Sequence, residues 1–209
     1  MQREQRIAEK LLQIKAVKLQ PQEPFTWASG WKSPIYCDNR KILSYPAIRD
    51  FVKSELSNLV FTEFPEAEVI AGVATAGIPH GALVADLLKM PFVYVRSKPK
   101  AHGMGNQIEG HLEPNKKVLV IEDLISTGKS SLEAIEALRA ADAQIEGLCS
   151  VFSYGFDVSK ELFQKENIPV QSLSNYNALL EVALEQKVIE ASDMEVLQTW
   201  RENPSAWGK

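Results

Sequence analysis

Glu122 and Asp123 are two consecutive acids that follow the apolar run 118–121 (Val-Leu-Val-Ile). The hydroxyl-rich segment 126–130 (Ser-Thr-Gly-Lys-Ser) comes next and opens a stretch with helical periodicity. In open α/β sheets, ligands bind beyond the carboxyl ends of the strands, and the free amides at a helix start bind anions. Ionised carboxylates only accept hydrogen bonds and therefore suit a diol, while Gly128 lets the backbone approach a phosphate closely. The pattern predicts a site for a sugar phosphate.

Other nucleotide and metal motifs do not fit this chain. A P-loop needs a glycine five positions before Gly128, where this chain has Asp123. Gly103 and Gly105 lack the third glycine of a dinucleotide-binding turn. The three histidines, at positions 80, 102 and 111, do not have the spacing of zinc ligands.

A long segment without an apolar run lies between residues 95 and 117. It begins with cations at positions 96, 98, 100 and 102 and continues with glycines at 103, 105 and 110. A loop of this length inside a compact domain is usually functional or a disordered linker. Composition alone leaves both interpretations open, and the position just before the acid pair favours a functional loop.

The elements that must position these residues alternate along the chain. Short apolar runs occur at 69–73, 92–95, 118–121 and 145–152. The spacing of apolar residues predicts helices at 3–17, 46–59, 78–88, 130–140, 158–166 and 175–202, and segment 25–40 predicts short strands with turns. Such an alternation is typical of an α/β fold with a mostly parallel central sheet flanked by helices. We expect a single domain over 1–209, with an N-terminal layer at 1–65, an α/β core at 66–175 and C-terminal helices at 176–209.

Composition places the chain among soluble globular proteins. Lys and Arg number 23 against 27 Asp and Glu, which gives a net charge of −4 and no general attraction to nucleic acid or to an anionic membrane. Two cysteines, Cys37 and Cys149, are too few for a disulfide framework. The N-terminus is charged and lacks the apolar core of a signal peptide. We therefore expect a cytoplasmic protein that binds neither nucleic acid nor membrane.

Four segments carry a resemblance to a known family. Residues 118–130 resemble the phosphoribosyl pyrophosphate signature of the type I phosphoribosyltransferases. Residues 29–38 (Ser-Gly-Trp-Lys-Ser-Pro-Ile-Tyr-Cys-Asp) resemble the base-binding segment of the orotate-specific members, and residues 96–103 resemble their catalytic loop. Residues 71–80 resemble the loop that meets the pyrophosphate.

The resemblance implies a fold, a reaction and partners. The expected fold is that of a type I phosphoribosyltransferase, with an N-terminal hood and a long flexible catalytic loop. The expected reaction is glycosyl transfer from phosphoribosyl pyrophosphate to orotate, which gives orotidine 5′-monophosphate in pyrimidine (UMP) biosynthesis. It also implies Mg²⁺, held by the substrate pyrophosphate and water with no metal ligand from the protein, and a homodimer in which the loop closes over the neighbouring site.

The resemblance also assigns residues to roles. The expected catalytic residues are Lys100, His102 and Asp123. The expected contacts to phosphoribosyl pyrophosphate are Arg96, Lys100, His102, Glu122, Asp123, Leu124, Ile125, Ser126, Thr127, Gly128, Lys129 and Ser130. The expected contacts to orotate are Ser126, Lys32, Tyr36 and Cys37.

The chain departs from the family pattern at three places. Ala28 stands where some relatives have lysine, and Thr75-Ala76 stands where some have Tyr-Lys. No arginine lies near 154–156 to meet the carboxylate of orotate, which leaves backbone amides or Lys32. Two alternatives therefore stay open: transfer to another nucleobase, and a non-catalytic regulator that senses phosphoribosyl pyrophosphate.

Overall fold

The N-terminal part of the chain forms a helix, four short strands and a second, longer helix. A computed structural model describes residues 2–27, 30–98 and 107–207. The elements are α1 (Arg3–Gln13), β1 (Val17–Leu19), β2 (Phe25–Thr26), β3 (Lys32–Ser33), β4 (Ile35–Cys37), a 3₁₀ helix (Asn39–Ser44) and α2 (Pro46–Glu63). β1 pairs antiparallel with β4, and β2 pairs antiparallel with β3. Segment 25–40 thus contains short strands, as predicted.

The first helix is shorter than the predicted 3–17. Lys15 adopts a left-handed φ of 54°, and the amide of Ala16 donates to the carbonyl of Leu11 over 2.9 Å, which closes the helix end. The chain then turns, so that Val17 pairs with Cys37. The last residue of the predicted helix, Val17, therefore belongs to β1, and residues 14–16 form the turn before it.

The rest of the chain builds one six-stranded sheet and its covering helices. The elements are β5 (Val69–Val73), α3 (Gly77–Leu88), β6 (Phe92–Val95), β7 (Ile108–Glu109), β8 (Lys117–Ile125), α4 (Lys129–Arg139), β9 (Gln144–Ser153), α5 (Asp157–Lys165), β10 (Val170–Asn175), α6 (Tyr176–Glu185), a 3₁₀ helix (Ala191–Asp193) and α7 (Met194–Glu202). The strand order is β10-β9-β8-β5-β6-β7, parallel except at β7. The predicted α/β fold with a mostly parallel sheet is confirmed.

Both faces of the sheet are buried. Along β8, Leu119 and Ile121 join the core that contains α1, α2 and α3, whereas Val118 and Val120 join the core beneath α4 and α5. Successive strand residues point to opposite faces, so a strand covered on both sides must be apolar throughout. Within the described residues, no helix is long and apolar enough to cross a membrane.

Other predicted elements also differ from the structure. β8 continues past residue 121 to Ile125 because its ladder with β9 continues to Ser153, so the acid pair lies within the strand. The predicted helix 175–202 is two helices, and Lys187 between them has a φ of 58°. The strands β7 and β10 were not predicted.

Candidate active site

The acid pair lies near the carboxyl end of β8, in the middle of the sheet. Glu122 is buried, and its Oε1 accepts the backbone N–H of Asp123 at 3.0 Å. The hydroxyl of Ser131 on α4 lies 3.4 Å from Glu122 Oε2. The side chain of Asn39 donates through Nδ2 to the backbone carbonyl of Asp123 at 2.7 Å, which fixes this strand end from the N-terminal layer.

Burial raises the pKa of both acids. It raises the pKa of Glu122 well above the ordinary value, and the neighbouring charge of Asp123 raises it further. Burial also raises the pKa of Asp123. Hydrogen-bond donors to a carboxylate favour its charged form, so two incoming hydroxyls would favour ionisation of the pair. The pair is therefore suited to a ligand that brings donors, such as a diol.

The start of α3 lies directly against the acid pair. A Cβ on Gly77 would lie 2.5 Å from the carbonyl oxygen of Ile121 and 3.3 Å from Glu122 Oε1. Only glycine permits this approach. The segment 71–80, expected to meet a pyrophosphate, is thereby held beside the carboxylates.

The turn after β8 forms an open helix start. Gly128 has a φ of +83°, and a Cβ there would lie 2.8 Å from Phe163 Cζ of α5. No described side chain caps the first amides of α4. Lys129 is exposed, and its Nζ lies 3.9 Å from Glu133 Oε1 one turn further along the helix. The amides and the hydroxyls of the turn are therefore available to an anion.

The other expected residues of this segment divide between ligand-facing and core positions. Ser126 and Thr127 are half-buried, and Ser130 is exposed. Ile125 is buried in the core under α4, so only its backbone can meet a ligand. Leu124 faces a cavity on the opposite side of the sheet from Ile125.

That cavity, which we call the aromatic cavity, has a volume of ≈ 320 Å³. It is lined by Thr26, Trp27, Tyr36, Cys37, Leu124, Ser126 and Tyr154. Three of the four residues expected to contact orotate thus share one cavity, and it adjoins the anion-binding turn through Ser126. The fourth, Lys32, is exposed and donates through Nζ to Thr26 Oγ1 at 2.9 Å.

The surroundings of Cys37 favour the protonated form of its thiol. Desolvation raises its pKa well above the ordinary value, and the charge of Asp123 adds to the effect. Its Sγ lies 3.4 Å from Asn39 Oδ1. A protonated thiol makes this residue a small apolar part of the cavity wall.

Arg96 lies at the base of the long loop. Its backbone N–H donates to the carbonyl of Gln107 at 2.9 Å, and Gln107 Nε2 donates back to its carbonyl at 2.7 Å. Its guanidinium lies 3.6 Å from Glu109. Arg96 and Ser130 line the same small cleft at the carboxyl end of the sheet. Lys100 and His102 lie outside the described residues.

Sequence reasoning did not assign Asn39, Tyr154 or Trp27 to the site. Trp27 lines the aromatic cavity and packs against the main core. Tyr154 follows β9 at the same sheet edge as the acid pair, and its backbone N–H donates to Ile125 at 3.0 Å. The rule that sites form at carboxyl strand ends could have indicated Tyr154. No pattern in the sequence marks Asn39.

The α/β fold, with an acid pair and a glycine turn at the carboxyl end of β8, is that of a phosphoribosyltransferase. Residues 39–186 match the family described as "Phosphoribosyl transferase domain". The orotate phosphoribosyltransferase of Bacteroides thetaiotaomicron is 56% identical over 204 residues, which cover 98% of this chain and 96% of that protein. The enzyme of the same name from Listeria innocua is 54% identical and covers 99% of each chain. The crystal structure of orotate phosphoribosyltransferase from Aeropyrum pernix superposes with a TM-score of 0.75 at 27% identity, over 84% of this chain and 96% of that one. This chain belongs to the orotate phosphoribosyltransferase family.

Proposed function

We propose that this chain transfers the phosphoribosyl group of 5-phosphoribosyl 1-pyrophosphate to N1 of orotate, producing orotidine 5′-monophosphate and pyrophosphate. Family membership makes it a transferase of pyrimidine biosynthesis. One geometric observation supports the mechanism most directly. The aromatic cavity shares Ser126 with the anion-binding turn and lies next to the acid pair, so a base and a ribose phosphate would meet there.

The acid pair would hold the ribose. Glycosyl transfer develops positive charge on the sugar ring. Glu122 and Asp123 would accept hydrogen bonds from the 2′- and 3′-hydroxyls and face this charge as it develops. The turn 126–130 would bind the 5′-phosphate through its amides and hydroxyls, which fixes C1′ below the cavity. Catalysis would then rest on positioning and on electrostatic stabilisation.

The leaving pyrophosphate needs cations. Arg96 at the loop base, with Lys100 and His102 further along the loop, would neutralise its charge. Mg²⁺ takes most of its ligands from phosphates and water, so the pyrophosphate of the substrate would supply them without a ligand from the protein. Bound Mg²⁺ would stabilise charge on the pyrophosphate oxygens. We propose that it arrives with the substrate.

The loop 96–103 would also exclude water from the activated sugar, because water would otherwise hydrolyse it. We propose a homodimer in which each subunit's loop closes over the partner's site. A cytoplasmic location agrees with the free thiols of Cys37 and Cys149, since reduced cysteines are typical of that compartment.

Loss of orotate absorbance tests the reaction. Purified protein is incubated with phosphoribosyl pyrophosphate and Mg²⁺, and in parallel uracil, hypoxanthine and adenine replace orotate. Turnover with orotate alone is expected. Turnover with another base would identify a different transferase, and donor binding without turnover would favour a regulator.

Two carboxylate variants test the assignment of the acid pair. Asp123→Asn should lose about 2–4 kcal/mol of transition-state stabilisation in kcat/KM. Asp157→Asn is the control, since Asp157 is an exposed carboxylate of α5 that pairs with Lys160 at 2.8 Å. Full activity of the Asp123 variant would contradict the assignment.

A further inference from the structure

The walls of the aromatic cavity rest on a tryptophan from the far end of the chain. Trp200 of α7 packs edge-on against Trp27, with ring centroids 5.7 Å apart and an interplanar angle of 82°. It packs the same way against Tyr154, at 5.6 Å and 79°. Both partners line the cavity, whereas Trp200 does not. Trp200 therefore lies behind the two rings that line the cavity.

Trp200 is held rigidly in this position. Its side chain is fully buried, and its indole Nε1 has no hydrogen-bond partner among the described residues. Buried indole N–H groups usually find a partner, so only ring packing fixes this one. The helix that carries it is fastened on two sides. The hydroxyl of Tyr176 donates to the carbonyl of Leu197 at 3.0 Å, and Gln22 Nε2 donates to Asp193 Oδ1 at 2.9 Å.

The two rings in front of Trp200 also contact each other, with centroids 5.6 Å apart, and Tyr154 packs edge-on against Phe152 at 5.7 Å. Trp27 donates its indole N–H to the carbonyl of Ile35 at 3.1 Å, which anchors one edge of the ring. Tyr154 stacks on Phe156 at 5.3 Å with an interplanar angle of 16°. Edge-to-face contacts then set the tilt of both cavity walls relative to each other, because aromatic pairs favour such geometry. A change at Trp200 should therefore alter the tilt of the two rings.

We propose that Trp200 is a positioning residue for the nucleobase: it sets the tilt of Trp27 and Tyr154, two rings that line the aromatic cavity, and so couples the C-terminal helix to base binding. The proposal rests on the proposed function for the identity of the base. The rings that Trp200 contacts belong to Trp27, Tyr154, Phe156 and Tyr176, and none of these lies in the acid pair or in the turn 126–130. The consequence is selective: base binding depends on Trp200, and binding of phosphoribosyl pyrophosphate does not.

Steady-state kinetics of graded variants test this selectivity. Trp200→Leu should raise the KM for orotate roughly five- to tenfold and leave the KM for phosphoribosyl pyrophosphate and kcat within about twofold, because lost uniform binding appears in KM alone. Trp200→Phe keeps a ring edge and should raise the orotate KM only about two- to threefold. Urea unfolding of each variant reports its stability separately.

Phe64→Leu is the matched control. Phe64 is also a buried aromatic of the main core, but it packs against Gly147, away from the aromatic cavity. It should lose stability and leave both KM values unchanged. A Trp200→Leu enzyme whose two KM values rise together, or do not change, would overturn the proposal. If that variant does not fold, an unchanged orotate KM in Trp200→Phe overturns it.

The same experiment separates this inference from the proposed function. Wild-type protein is assayed first with the four bases. Should it use a base other than orotate, the proposed function fails, and the ratio of the two KM values is measured with that base instead. The coupling of α7 to the cavity is then accepted or rejected on its own.

Discussion

Asn39→Ala is the perturbation that most sharply tests how the site is assembled. Asn39 is fully buried at the start of a 3₁₀ helix in the N-terminal layer. Its Nδ2 donates to the backbone carbonyl of Asp123 at 2.7 Å, and its Oδ1 lies 3.4 Å from the thiol of Cys37. One side chain thus joins the wall of the aromatic cavity to the acid pair.

The expected magnitude follows from what the substitution leaves behind. Alanine removes the donor and leaves the Asp123 carbonyl in a partly buried position without it, which costs about 1–3 kcal/mol. A displaced Asp123 should also bind the ribose less well. If half to all of that energy were lost from the transition state, kcat/KM for phosphoribosyl pyrophosphate would fall by roughly two- to 150-fold.

Urea unfolding and steady-state kinetics measure the two effects, with Ser57→Ala as control. Ser57 is also a buried polar residue, but its hydroxyl has no hydrogen-bond partner among the described residues. Its removal should be neutral or stabilising and should leave kinetics unchanged. An Asn39→Ala protein with wild-type stability and wild-type kcat/KM would refute the reasoning.

Three further variants test the turn, the acid pair and a buried histidine. Gly128→Ala should lose about 1–3 kcal/mol of stability and weaken donor binding in calorimetry, because alanine disfavours the positive φ and its Cβ would crowd Phe163. Glu122→Gln should raise Tm at pH 8 but not at pH 4. The pKa of Glu122 is raised in the folded protein, so its carboxyl group lowers the free energy of unfolding at pH values above its ordinary pKa, and glutamine removes this cost. An equal rise of Tm at both pH values would contradict this. Burial lowers the pKa of His80 to about 4, so wild-type stability should fall by about 3 kcal/mol as the pH drops from 6.5 towards 4. His80→Gln should remove that dependence in pH-resolved urea unfolding, and an unchanged pH dependence would exclude His80 as its source.

The sheet could be predicted where its strands are buried on both faces. β5 and β6 coincide with the predicted runs 69–73 and 92–95, because a strand between two helical layers must be apolar along its whole length. The strand β10 was not predicted because it is an edge strand with polar residues and therefore has no apolar run. Ser172 on β10 pairs with Ser150 of β9 through their hydroxyls at 2.7 Å, a contact that has no signature in a single sequence.

The site was predictable in its local parts and not in its long-range contacts. The acid pair and the turn 126–130 follow from a strand, two carboxylates and a helix start within one short segment. Asn39 acquires its role only when the fold places it against Asp123, 84 positions later. Trp200 likewise reaches Trp27 from the opposite end of the chain. Such contacts depend on tertiary packing, and neither residue type nor spacing predicts them.

A crystal structure of the protein with orotate and phosphoribosyl pyrophosphate would test the central claim most directly. The account predicts that the 5′-phosphate lies on the amides of 126–130 and that the ribose hydroxyls lie within hydrogen-bond distance of Glu122 and Asp123. The orotate ring should lie in the aromatic cavity beside Trp27. A ribose away from the acid pair, or a base bound outside that cavity, would contradict it.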